Sequence, residues 1–149
     1  MYINGKFVES RSGKWIDVLN PSTEEVCSRQ PEGTVEDVEE ALDAARAAQK
    51  SWEKTPAIER AAYLSKMADG IRKREKEFVE IIMREQGKTR SWAQIEVGAT
   101  IAYFDYMASF ARHIEGEIIQ SDNRGETIFL SKKPIGVVAG ILPWNFPFF

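Results

Sequence analysis

The stretch Pro134-Ile135-Gly136-Val137-Val138-Ala139-Gly140-Ile141-Leu142-Pro143-Trp144-Asn145-Phe146-Pro147-Phe148-Phe149 decides the fold class. From Ile135 to Leu142 it carries no charge and no polar side chain. That is the pattern of a strand covered on both faces, as in a parallel sheet, and not of a half-exposed hairpin. The run therefore predicts an α/β fold and a buried strand that needs partner strands. In open α/β sheets, ligands lie in the crevice outside the carboxyl ends of the strands, so chemistry is expected between Pro143 and Pro147. One polar side chain lies there, Asn145, among aromatic residues and prolines.

Working back from this stretch, Ile118-Ile119-Gln120-Ser121 and Thr127-Ile128-Phe129-Leu130-Ser131 flank the polar turn Asp122-Asn123-Arg124-Gly125 and predict a hairpin. Before it, a helix is expected from about Thr89 to His113, with two apolar stripes. Trp92, Ile95, Ala99, Ala102, Tyr106 and Phe110 form one, and Val97, Ile101, Phe104 and Ala108 the other. Apolar surface on two sides predicts burial between two layers, and core packing explains the aromatic spacing better than a cofactor box does. Phe78, Ile81 and Ile82 lead to Gly87, a helix-ending glycine. Thr55-Pro56 starts a helix whose stripe is Ile58, Ala61, Leu64, Ala68 and Ile71. Thr34 with Asp37 forms a capping box for an earlier one. The first thirty residues turn at Asn4-Gly5 and Asn20-Pro21, predicting a hairpin and further short strands at Trp15–Val18 and near Val26.

Composition excludes several function classes. The 20 basic and 23 acidic residues give a net charge of −3 without a basic patch or stripe, which argues against nucleic acid or an anionic membrane as partner. No apolar run approaches the roughly 18 residues that span a bilayer, and Met1-Tyr2-Ile3-Asn4-Gly5-Lys6 lacks the build of a signal peptide. A single cysteine cannot form an internal disulfide, so a reducing, cytoplasmic setting is expected.

The segment Gly140-Ile141-Leu142-Pro143-Trp144-Asn145-Phe146-Pro147 strongly resembles a signature of the aldehyde dehydrogenase superfamily, and the resemblance extends over essentially all 149 residues. Asn20-Pro21-Ser22-Thr23-Glu24-Glu25-Val26 looks like the family's N-terminal turn. Glu85-Gln86-Gly87-Lys88 followed by Glu96 looks like its helix-break-helix segment, and Glu115-Gly116-Glu117 like the entry to its oligomerisation hairpin. Tyr103-Phe104-Asp105-Tyr106-Met107 and Glu117-Ile118-Ile119-Gln120-Ser121-Asp122 look closest to the lactaldehyde and glycolaldehyde dehydrogenases. The resemblance implies N-terminal strands, a helical layer, a hairpin at about 117–133 and the first strand of an NAD-binding α/β domain that is incomplete over 1–149. It implies an enzyme that oxidises an aldehyde to a carboxylate with NAD, NADP being also compatible, in a homo-oligomer. Asn145 would stabilise the oxyanion formed when a cysteine thiolate attacks the aldehyde, since a preorganised amide N–H in a dry pocket serves that purpose. Ile141, Leu142, Pro143 and Trp144 would line the nicotinamide and ribose side of the cofactor site, and Phe146 the substrate channel. The nucleophilic cysteine and the general-base glutamate of the family belong downstream of Phe149, so the chain by itself is expected to be inactive.

Other chemistry-bearing residues have plainer roles. Cys27 lies far upstream of the family's nucleophile, with no His, Lys or helix N-terminus beside it in sequence, and is expected to be structural. His113, the only histidine, is expected to cap a helix, and with no second ligand at suitable spacing a metal site has no support. Glu85 and Glu96 are expected in helix-surface salt pairs with Lys88 or Arg90. Outside the enzyme class, the alternative is a noncatalytic helical and hairpin module that binds a partner such as a full-length homologue.

Overall fold

The computed structural model describes residues 1–149. Asn4 and Gly5 both hold left-handed backbone, φ 50° and 75°, as a tight two-residue hairpin requires. They fold β1 (Tyr2–Ile3) antiparallel onto β2 (Lys6–Phe7). A second antiparallel pair joins β3 (Trp15–Leu19) to β4 (Val26–Pro31), with a register shift between Val18 and Leu19.

The helical layer follows the sequence signals closely. Thr34 caps α1 (Val35–Trp52) by the reciprocal box: its hydroxyl accepts from the Asp37 N–H, and the Asp37 carboxylate accepts from the Thr34 N–H at 2.9 Å. Pro56 precedes α2 (Ala57–Lys73), Arg74 separates it from α3 (Glu75–Gln86), and Gly87 ends α3 in left-handed backbone, φ 65°. The chain restarts as α4 (Arg90–Ser109), which closes in a 3-10 turn, Phe110–Arg112, capped by His113. α4 packs chiefly on α2 and then on α3. Val79, Ile82, Ala93 and Val97 form the buried centre, with Ile71, Phe78, Met83, Ile101 and Phe148 against it.

A third pair, β5 (Glu117–Gln120) and β6 (Thr127–Leu130), forms the expected hairpin, in register Ile118 to Phe129 and Ile119 to Ile128. Every residue of both strands is exposed. The architecture is thus mixed α/β, with three separate two-stranded sheets.

Two expectations are corrected. Ile135–Leu142 forms no strand and joins no sheet; Ile135 is 91% exposed and Ile141 97%. A doubly apolar strand is held by neighbours on both edges and both faces, and none of the six strands present pairs with it. The apolar stripe that includes Trp92, Ile95, Tyr106 and Phe110 is also largely uncovered, so α4 is buried on one side only. Its buried face is Ala93, Glu96, Val97 and Thr100, at the i, i+3, i+4, i+7 spacing of a helix face.

Eleven residues of 149 are buried, and the accessible surface is 11862 Å². A compact monomer of 16.9 kDa exposes roughly 7,700 Å² by the usual size scaling, so some 4,000 Å² is left that a self-contained domain would cover.

A candidate active-site turn seated on a helix break

The segment Trp144–Phe149 lies across the break between α3 and α4. Gly87 creates that break: its N–H closes α3 on the Met83 carbonyl at 2.9 Å, and its left-handed backbone turns the chain so that Gln86 and Lys88 reach the incoming segment. Gln86 Nε2 donates to the Trp144 carbonyl at 2.5 Å. Lys88 Nζ stands 4.1 Å from the centre of the Phe146 ring, close enough for a cation–π attraction. Trp92 meets the same ring edge-on at 6.4 Å.

Glu96 completes the seat. It is fully buried, its Oε2 accepts from Lys88 Nζ at 2.5 Å, and its Oε1 accepts from the Phe148 N–H at 2.8 Å and the Phe149 N–H at 3.4 Å. A buried carboxylate is costly unless paired and hydrogen-bonded, and this one is both. The expected pairing with Lys88 is present, but the expected surface position is not. The spacing Ala93, Glu96, Val97, Thr100 was the signal that places Glu96 on the packed face, hidden beneath the larger aromatic stripes. Beyond Glu96, the Phe148 ring lies tilted against Phe78 at 4.7 Å, and Phe149 meets Tyr103 edge-on at 5.5 Å.

Phe146 carries the turn. Its φ of 52° is left-handed, unusual for a bulky residue and of the kind that tertiary contacts must hold in place. The result sends the half-buried Phe146 ring to Lys88 and Trp92 while Asn145 stays exposed. Ile141, Leu142, Pro143 and Trp144 are exposed too, at 97% for Ile141 and 84% for Trp144. They present an open apolar ledge beside the Asn145 amide and do not enclose a site.

The remaining titratable residues stand apart. The Cys27 thiol donates to the Val18 carbonyl at 3.3 Å and faces the Arg84 carbonyl at 3.6 Å, so its neighbours are acceptors and not an activating cation. Glu85 accepts from Ser28 Oγ at 2.9 Å. Arg90 pairs with Glu80.

This chain belongs to the aldehyde dehydrogenase family, whose model matches residues 7–149. It is 56% identical over 149 residues to lactaldehyde dehydrogenase of Escherichia coli strain K12. That match covers 100% of this chain and 31% of the relative. The crystal structure of lactaldehyde dehydrogenase from Escherichia coli superposes with a TM-score of 0.96 at 55% identity, over 99% of this chain and 31% of that one. A betaine aldehyde dehydrogenase variant from Staphylococcus aureus, solved in complex with NAD⁺, superposes at 0.93 and 33% identity, over 97% of this chain and 29% of that one. The chain thus spans about a third of the length of the relatives it matches, and corresponds to their N-terminal part.

Proposed function

We propose that the chain supplies the N-terminal part of an NAD(P)-dependent dehydrogenase that oxidises a small hydroxyaldehyde of the lactaldehyde type to its carboxylate, NAD being the first choice of nucleotide. The observation that carries this is the 56% identity to lactaldehyde dehydrogenase along the whole chain, the Asn145 turn included. When bound, the nicotinamide accepts the hydride. What the chain contributes is a surface and a donor. Ile141, Leu142, Pro143 and Trp144 form one apolar wall against the nucleotide, Phe146 borders the aldehyde's approach, and the Asn145 amide donates to the oxygen that becomes negative when the carbonyl carbon is attacked. Such a donor acts through preorganisation, and the seat on Gln86, Lys88 and Glu96 supplies rigidity at the base of the turn.

The 149 residues contain neither a second cysteine nor a free carboxylate beside Asn145, so the isolated chain is expected to give no turnover. The test is to read the coding sequence beyond Phe149 and to assay the whole product. Reduction of NAD or NADP with lactaldehyde or glycolaldehyde supports the proposal. A whole product with a nucleophilic cysteine that reduces neither nucleotide with any small aldehyde overturns it.

One observation favours a second role, as an assembly module. Both outer edges of the β5–β6 hairpin are unpaired, and Ile118 and Phe129 lie over 70% exposed on one face. Such edges extend sheets between copies. Co-elution of the chain with an intact relative would support this role without any turnover.

A further inference from the structure

Three of the four polar or charged contacts that hold Trp144–Phe149 come from the α3–α4 break and the first two turns of α4, and one group, Glu96, makes two of them. Its carboxylate is fully buried, spans from the Lys88 ammonium at 2.5 Å to the Phe148 N–H at 2.8 Å, and has the Phe149 N–H at 3.4 Å. Lys88, itself mostly buried, turns the same ammonium toward the Phe146 ring at 4.1 Å. The next residue before Phe146 is Asn145. The two sides of the turn are therefore fastened separately: Gln86 holds the carbonyl of the residue before Asn145, and Lys88 with Glu96 holds the ring and backbone after it.

From this juxtaposition we infer that Glu96 is a positioning residue for Asn145, acting through Lys88 and the Phe148 N–H. The inference rests on the proposed oxyanion role of Asn145 for its catalytic meaning, but the placement itself is independent of turnover. Charge is what the arrangement uses. A carboxylate accepts from an ammonium and two amides at once, and a neutral amide in its place would turn an N–H₂ toward one of these donors. Hydrogen bonds to a charged group are the stronger ones, so the Gln variant loses the fastening while keeping the shape of the side chain.

The experiment is NMR of the whole gene product, selectively ¹⁵N- and ¹³C-labelled at Asn, Phe, Ile and Val, in parental, Glu96→Gln and Lys88→Met forms. In Glu96→Gln the Phe148 amide proton moves upfield, the ring contacts between Phe78 and Phe148 weaken, and the Asn145 side-chain amide shifts, while Ile101 and Val79 resonances in the helical core stay at parental positions. In Lys88→Met the Phe146 ring signals move and Asn145 follows. Parental Phe148 and Asn145 shifts in both variants, with the core intact, overturn the inference. So does a loss at Phe148 matched by an equal loss at Ile101 in both variants, which would make Glu96 and Lys88 general core residues. Because these shifts report placement and not catalysis, failure of the dehydrogenase assay leaves this result standing, and failure here leaves the dehydrogenase proposal standing.

Discussion

At the scale of single residues, the exposed Asn145 amide beside an open apolar ledge is where the two accounts of the turn part. If the amide donates to a developing oxyanion, Asn145→Ala in the whole enzyme lowers kcat by on the order of 10²–10³, the usual loss for one such donor, with nucleotide binding little changed. A merely structural turn asparagine would cost about 1 kcal/mol of stability and leave kcat near parental. Steady-state rates at saturating aldehyde and nucleotide, set beside a thermal melt, decide between them. A second residue governs acid stability. The Thr34 N–H, helped by Ser10 Oγ at 2.8 Å and the Arg11 N–H, holds the Asp37 carboxyl below the usual carboxylate range, against the opposing push of burial. A folded-state value below the unfolded one means that this stabilisation is complete above the unfolded value near pH 4 and is lost as pH falls through the lower, folded value. Asp37→Asn is expected to lower Tm at neutral pH by about 2–6 °C, as loss of a helix cap does, and to flatten the decline of Tm below about pH 4. An unchanged acid limb in a Tm-against-pH series would show that Asp37 is not the group responsible. Asp37 was legible in the sequence from the Thr-x-x-Asp spacing, whereas Asn145 was marked only by its place after an apolar run that forms no strand. Glu96 was not legible, because a charged residue next to aromatic stripes reads as surface until the packed face of α4 is known.

At the scale of elements, local signals translated almost one for one. The capping box at Thr34, the start after Pro56, the stop at Gly87 and the turns at Asn4-Gly5 and Asp122–Gly125 fall where the sequence puts them, since each is fixed by backbone chemistry within a few residues. What failed was the element whose partners are distant in the chain, Ile135–Leu142, because no local rule can supply the strands that would flank it. The β5–β6 hairpin forms locally but leaves both edges free, and its two faces differ. Ile118 and Phe129 are over 70% exposed, whereas Ile119 and Ile128 are near 40%. For an assembly built through this hairpin, Phe129→Asp is therefore expected to shift sedimentation toward smaller species, and Ile128→Asp to do so less. Unchanged oligomers in both variants would remove the hairpin from the interface.

For the whole molecule, exposed apolar surface decides behaviour in solution. The excess of about 4,000 Å² over a compact monomer is about five times the roughly 800 Å² that one partner contributes to a standard protein interface. Exposed large apolar side chains include the outer stripe of α4, the hairpin and Ile135, Val138, Ile141, Leu142 and Trp144, and also Tyr2, Phe7, Val35 and Val38 nearer the N-terminus. The sequence predicted burial for the two-sided stripe of α4 and for the chargeless run from Ile135, and the structure covers neither the outer stripe nor the run. With six apolar residues buried, the three-helix centre has little surplus stability with which to keep such surfaces apart. The isolated chain is expected to associate or to melt broadly, with an apparent Tm that depends on protein concentration. Sedimentation velocity and thermal melts over a hundredfold concentration range measure this directly. A single monomeric species with one sharp, concentration-independent transition would mean that the helical core tolerates the open surface. Association relieved by covering polypeptide from the remainder of the family fold, added in trans, would identify these faces as the contact surface for that remainder.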